Sequence, residues 1–391
     1  MSSDTPRRRF EDIDWDADRG VGLTRQTTGF LASLLALAAL FGYDYLRPSP
    51  LFEPNPVLRD GWDITQLDWL FTLSLLLFCF YVLVPLWTNR RMAAHYWREF
   101  RKNRAAVVSL GYLVVLFTLG LFGPLLVGRP SVELIQGYQP PVGVAVDSSV
   151  PLQCAGRVAD GQCHGSWAFP LGTTGEGKDI LALVVLGMRV SIRIGLITSF
   201  LIISIGATVG TVAAYLGGLV DEVLMRYVDI QQVFPSFLLY ILLIYLFGGS
   251  LLMFILVFGL LSWGGTARLV RSAALQRSED EYVEVARCAG ADAKHVIRRH
   301  ILPNVSGTVI TNLTLLIPGL ILFEAGLAFL SLGDPTIPSW GQTIAAGRSD
   351  LGSAWWVSTV PGVFLFLTIL AFNFVGDALR DALDPRSEGN T

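Results

Sequence analysis

The chain has 391 residues, 52% of them hydrophobic and 16% charged, with a mean hydropathy of +0.53 and a formal net charge of −3. Soluble domains carry about 25% charged residues, so this balance excludes a water-soluble globular chain and indicates an integral membrane protein. Most of the charge sits in a few loops, which leaves no basic footprint for nucleic acid, and none is expected as a partner.

Crossing about 30 Å of hydrocarbon takes roughly 20 apolar residues per helix. Eight stretches qualify, at about 28–45, 66–87, 106–127, 191–216, 229–249, 251–270, 305–330 and 357–380. The first follows a long polar stretch and has no clear small-residue cleavage site, so it reads as a span and not as a signal peptide. Between the second and third spans the segment 88–104 carries Arg90, Arg91, Arg98, Arg101, Lys102 and Arg104. Basic short loops face the cytoplasm, which places both termini inside and 128–190 and 331–356 outside.

Cys154 and Cys163 share the outside loop, and their spacing leaves a disulfide open. Cys79, Cys288 and the four histidines show no zinc-site spacing, so no metal is expected. Gly172 to Lys178 spells most of a phosphate loop, but Asp179 stands where a Ser or Thr hydroxyl must hold magnesium, and an acid there repels phosphate. The segment reads instead as a glycine turn leading into an outside helix, Ile180 to Met188, lying along the membrane surface. Gly206, Gly210 and Ala214 put small residues on one face of the fourth span, where two helices can approach closely. Asp221, Arg226 and Asp229 read as a local ion pair, and Pro235 kinks the following span. Glu324 lies toward the outer end of its span, as a polar contact near a gate or as a packing hydrogen bond.

Between two of these spans lies a charged, helix-patterned stretch, Glu281 to Asn304. Ser278 and Glu281 fit a capping box that starts a helix. Tyr282, Val285, Ala286 and Ala289 form its apolar stripe. Gly290 is placed to end it in the left-handed conformation. Asp292 then caps a second helix with the stripe Ala293, Val296, Ile297 and Ile301, and Pro303 marks its end or a kink into the next span. Such a stripe could lie on lipid headgroups, but it lacks the Trp, Phe and Leu of membrane-surface helices. A protein groove fits it better.

Glu284-Val285-Ala286, Gly290 and Leu302-Pro303 resemble the "EAA" loop of ATP-binding-cassette importer permeases, and Arg299 to Asn304 resembles the dipeptide/oligopeptide branch. Val285 stands where the family has alanine, and His300 where other branches keep isoleucine. Trp97 to Arg104 is similar to the start of the branch's C-type subunit. Phe169 to Ile192 resembles its HPLGTD-x-x-GRD segment, with Thr174 and Lys178 replacing Asp and Arg. Val220 to Phe237, Phe323 to Gln342 and Asp377 to Arg386 match in the same order.

The resemblance covers about 97–386 and implies an all-α polytopic fold of the type I importer kind. Six core spans follow an N-terminal extension, 1–96, holding two more, and 387–391 is a tail. It implies a plasma-membrane transport subunit that forms its pathway with a homologous permease. Two ATPase subunits hold the ATP and magnesium, and an extracellular solute-binding protein delivers the solute. The cytoplasmic loop 271–304 would couple to the ATPases through Glu281, Tyr282, Glu284, Val285, Ala286, Gly290, Ala291 and Asp292, ending at Arg299, His300, Leu302 and Pro303. Pro235 and Glu324 would belong to the pathway or gate. A secondary transporter would want ionisable residues facing a midplane site, and an enzyme would want a catalytic constellation in the membrane. Neither pattern is found in the sequence.

Overall fold

A computed structural model describes residues 25–47, 64–128 and 130–383. The expected tail, 387–391, lies outside these residues. Two compact units divide at residues 89 and 90, with 65–74 counted in the larger one. In the smaller unit α1 (Arg25–Tyr45) meets the second half of α2 (Gln66–Thr88), where the Phe30 ring packs edge-on against Phe80 and Tyr81 at 5.7 and 5.4 Å.

The larger unit is a helical bundle. It opens with α3 (Arg90–Phe100), an amphipathic helix whose Phe100 packs with Ala106 and Ala378. Asn103 caps α4 (Arg104–Val127) by accepting from the Ala106 amide at 3.2 Å. The following loop holds a small antiparallel sheet of β1 (Ala145–Asp147), β2 (Val158–Ala159) and β3 (Gln162–His164), in the order β1-β3-β2. A Cys154–Cys163 disulfide ties it, with Cα atoms 5.8 Å apart. This sheet has no counterpart in the sequence reading, because its strands are too short for a period-two pattern to show.

Asp179 accepts from the Leu181 amide at 2.9 Å and starts α5 (Ile180–Leu216), which runs through a π-turn at Ile194–Thr198. The expected surface helix, Ile180 to Met188, is therefore the first part of a long buried span. Its residues are apolar on nearly every side, with Ile180, Ala182, Leu183, Val184, Val185 and Met188 all buried. Gly172 and Gly177 shape the turn before it, where Thr173 bridges Asp179.

Next come α6 (Gly218–Val233) and α7 (Ser236–Phe247), bent by 61° where Phe234 and Pro235 interrupt the ladder. They are followed by α8 (Leu251–Leu261), α9 (Gly264–Ser278), α10 (Glu281–Cys288) and α11 (Ala293–Val296). After these come α12 (Leu302–Phe329), α13 (Trp340–Ala346) and α14 (Trp356–Leu383). Among the described residues seven helices are long and apolar enough to cross a membrane, and α6 and α7 reach that length and apolarity only together, as a bent pair.

The bundle closes on small residues and tryptophans. A Cβ on Gly210 would lie 2.4 Å from the Ala267 carbonyl oxygen, and one on Gly206 would lie 2.8 Å from Thr266. This places α5 and α9 at a backbone separation that only glycine permits. At the end of the bundle carrying the disulfide loop, fully buried Trp340 and Trp356 donate their indole N–H groups to the carbonyls of Val184 and Thr173 at 3.0 and 3.1 Å. At the other end Arg271 binds Asp221 through two nitrogens at 2.5 Å, and Arg268 pairs with Asp229. The local pairing expected for those acids is thus replaced by pairing between helices. Arg226 lies 4.0 Å from Glu222 instead.

Gly210→Val should lower the melting temperature of the detergent-solubilised protein, since overpacking costs about 1–3 kcal/mol. Scanning fluorimetry against the control Gly42→Ala, whose added Cβ meets nothing within 4 Å, measures the difference.

Candidate functional site

The hairpin Glu281 to Asn304 is built on the bundle, not beside it. α9 runs to Ser278, whose hydroxyl donates to the Leu275 carbonyl at 2.8 Å, so the expected capping box with Glu281 does not form. Asp280 precedes α10 in an extended conformation, and no side chain caps it. Glu281 and Glu284 lie in the first turn, where acids suit the positive end of the helix.

Gly290 adopts φ +84° and has open space around it. The Ala291 amide donates back to Ala286 at 3.1 Å and the Gly290 amide to Arg287 at 2.9 Å, the paired bonds of a Schellman stop. Asp292 then accepts from the His295 amide at 2.9 Å and starts α11.

The second arm does not end at Pro303. α11 passes through a π-turn at Ile297–Ile301 into α12, with Pro303 in the first turn of α12, where its missing N–H costs little. The hairpin is therefore one arm jointed by glycine to the extended end of a membrane span.

Packing divides the residues of the first arm. Val283, Val296, Ile301 and Val305 are buried in one cluster with Ala207 and Ala214 of α5 and Val270 and Ala274 of α9. Ala286 and Ala291 are half-buried against it. The Arg287 guanidinium lies over the Tyr215 ring at 4.7 Å, and the Asn304 amide donates to the Tyr282 hydroxyl at 3.2 Å. His300 packs 6.0 Å from Tyr282 and 5.9 Å from His295. Partial burial and the neighbouring Asp280 carboxylate push the Tyr282 phenol up.

Tyr282 and Val285, expected to be the stripe, are exposed at 41% and 67%, and Ala289 is exposed with them. Glu281, Glu284, Asp292, Arg299, Leu302 and Pro303 are exposed too. The face that holds the hairpin to the bundle is Val283 with Ala286. Ala286 lies in the expected stripe and Val283 outside it, because an eight-residue helix offers two overlapping stripes.

The structure does not bring Pro235 and Glu324 to the hairpin. Pro235 is exposed at the bend between α6 and α7. Glu324 is 8% exposed, next to Ser339, near the other end of α12. Among the described residues no group of three His, Cys, Asp or Glu side chains could hold a metal.

Residues 206–389 match the family described as binding-protein-dependent transport system inner membrane component, and residues 92–141 match the N-terminal TM domain of oligopeptide transport permease C. The chain is 35% identical over 302 residues to the oligopeptide transport system permease protein OppC of Escherichia coli, covering 77% of this chain and 91% of the relative. The chain belongs to this permease family. The permease is also 34% identical over 292 residues to the dipeptide transport system permease protein DppC of Bacillus subtilis, covering 74% of this chain and 84% of that one. It shares 19% identity and a TM-score of 0.44 with a chain of the inward-facing MetNI methionine ABC transporter, over 52% of this chain and 98% of that chain. It is a multi-pass membrane permease subunit of an ABC importer.

Two substitutions two residues apart separate fold from surface. Val283→Asp, which places a charge in the shared cluster, should open the hairpin to trypsin at Arg287 and Arg298. Val285→Asp should leave the digestion pattern unchanged, because its side chain meets solvent.

Proposed function

We propose that this permease imports dipeptides or oligopeptides, with the hairpin as the handle by which separate ATPase subunits move the membrane helices. Both relatives named above carry peptide transport in their descriptions. The observation that carries the reading is the division of the hairpin. One face is buried in a cluster shared with α5, α9 and α12, while Val285 and Ala289 face away from it with Glu281 and Glu284, and Tyr282 is exposed beside Asn304 and His300. A small apolar stripe edged by acids suits docking in a groove of another protein.

In this reading a homologous permease completes the pathway, and the basic segment 88–104 faces the cytoplasm with the hairpin. The disulfide-tied loop then faces outward, where Trp167, exposed at 82%, and Leu152, exposed at 81%, give a solute-binding protein apolar anchors. ATP and magnesium belong to the ATPase subunits. This chain contributes two conformations whose populations the ATPases shift through differential contacts with the hairpin.

The test uses the assembled complex in proteoliposomes. Glu284→Lys and Gly290→Val should leave the subunits co-purifying but abolish the stimulation of ATP hydrolysis by peptide and its binding protein. A valine at φ +84° is strained by about 1–2 kcal/mol, enough to shift the angle between the arms. Normal uptake coupled to normal hydrolysis in both variants would exclude the hairpin as the coupling element.

A further inference from the structure

The N-terminal spans lie outside both family matches, yet the first half of α2 is packed into the larger unit through Leu67, Asp68, Phe71 and Ser74, which are buried on one face. Asp68 is 8% exposed. Its Oδ1 accepts from Arg193 and, at 3.5 Å, from Arg189, both on α5, and its Oδ2 accepts from the Thr65 amide and hydroxyl at 3.1 and 2.8 Å. The Arg193 guanidinium also lies 5.9 Å over the Phe71 ring.

Two guanidiniums and one carboxylate thus meet within helices apolar enough to span a membrane, where an uncompensated charge is strongly disfavoured. The cluster has a particular place on α5. Arg193 is the residue immediately before the π-turn, and π-turns often mark functional positions in helices. Beyond that turn, the far half of α5 packs against the hairpin through Ala207, Ala214 and Tyr215.

We propose that Asp68 is a positioning residue that fastens α2 to α5 at the π-turn. The half of α5 nearest the disulfide loop is held there, while the other half follows the hairpin. The N-terminal extension is then a working member of the transport bundle, with the Arg189 and Arg193 pair as its receptor. The consequence for transport rests on the coupling reading above, but the fastening does not.

The experiment inserts a specific protease site after Asn89 in the full chain of the assembled complex. The complex is cleaved in detergent, and the fraction of fragment 1–89 that co-elutes is measured. The wild-type fragment should stay bound. Asp68→Asn should lower retention by about tenfold or more, as expected when one partner of a buried pair is removed. Asp68→Arg combined with Arg193→Asp keeps one carboxylate among two guanidiniums and should restore retention. Thr65→Ala, which removes the hydroxyl cap but keeps the ions, should retain the fragment. A wild-type fragment that falls away, unchanged retention in Asp68→Asn, no rescue by the exchanged pair, or loss in Thr65→Ala equal to that in Asp68→Asn would each overturn the fastening.

In uncleaved complexes Asp68→Asn should raise ATP hydrolysed per peptide imported, and the exchanged pair should lower it again. An unchanged ratio overturns the positioning role. A wild-type complex whose hydrolysis ignores peptide refutes the importer reading, and with it the positioning role, while fragment retention still reports on the ion cluster.

Discussion

A hydrogen-bonded helix is hard to stretch or compress along its axis, and the second arm of the hairpin is the start of one such helix. From Ala293 the backbone continues through the π-turn at Ile297–Ile301 into α12 and on to Phe329. The second arm and the span therefore share one continuous helical backbone, interrupted in its hydrogen-bond ladder at Pro318. Gly290 joins the arms by a left-handed turn without crowding any neighbour. The first arm cannot swing away freely, since Val283 is buried with Val296 and Ile301 and Arg287 rests on Tyr215.

The surrounding helices extend this linkage. α5 and α9 touch through Gly206 and Gly210 closely enough that neither can slide without steric penalty. Arg271 and Arg268 of α9 then hold α6 through Asp221 and Asp229. The pairs are partly exposed and individually worth little, so their effect lies in setting the direction of α6 ahead of its bend at Pro235. The disulfide-loop end is built differently, with two buried indole N–H bonds and a cross-linked sheet.

Patterns that extend over many residues were legible in the sequence. Apolar length gave seven of the eight expected spans, the glycine face gave the α5–α9 contact, and Gly290 and Asp292 gave the joint and cap of the hairpin. Errors arose where two local signals competed. Ser278 and Glu281 have capping-box spacing, but α9 continues to Ser278 because its buried Val270 and Ala274 keep it on the bundle. The glycine turn before Ile180 to Met188 suggests a surface helix, whereas the segment's all-round apolarity is the mark of a buried one. The pairing of Asp68 with Arg189 and Arg193 joins residues more than a hundred positions apart, and no local pattern carries such information.

Glu324 lies toward the far end of α12, beyond Pro318. It lies 22 residues beyond Leu302 on the same helix, a rise of about 33 Å, and Ser339 sits beside it at the start of α13. Leaving the buried Glu324 carboxyl without that hydroxyl costs about 1–3 kcal/mol. About 1.4 kcal/mol is a tenfold change in a two-state equilibrium. One buried contact at the loop end of this helix is thus worth about one such tenfold step.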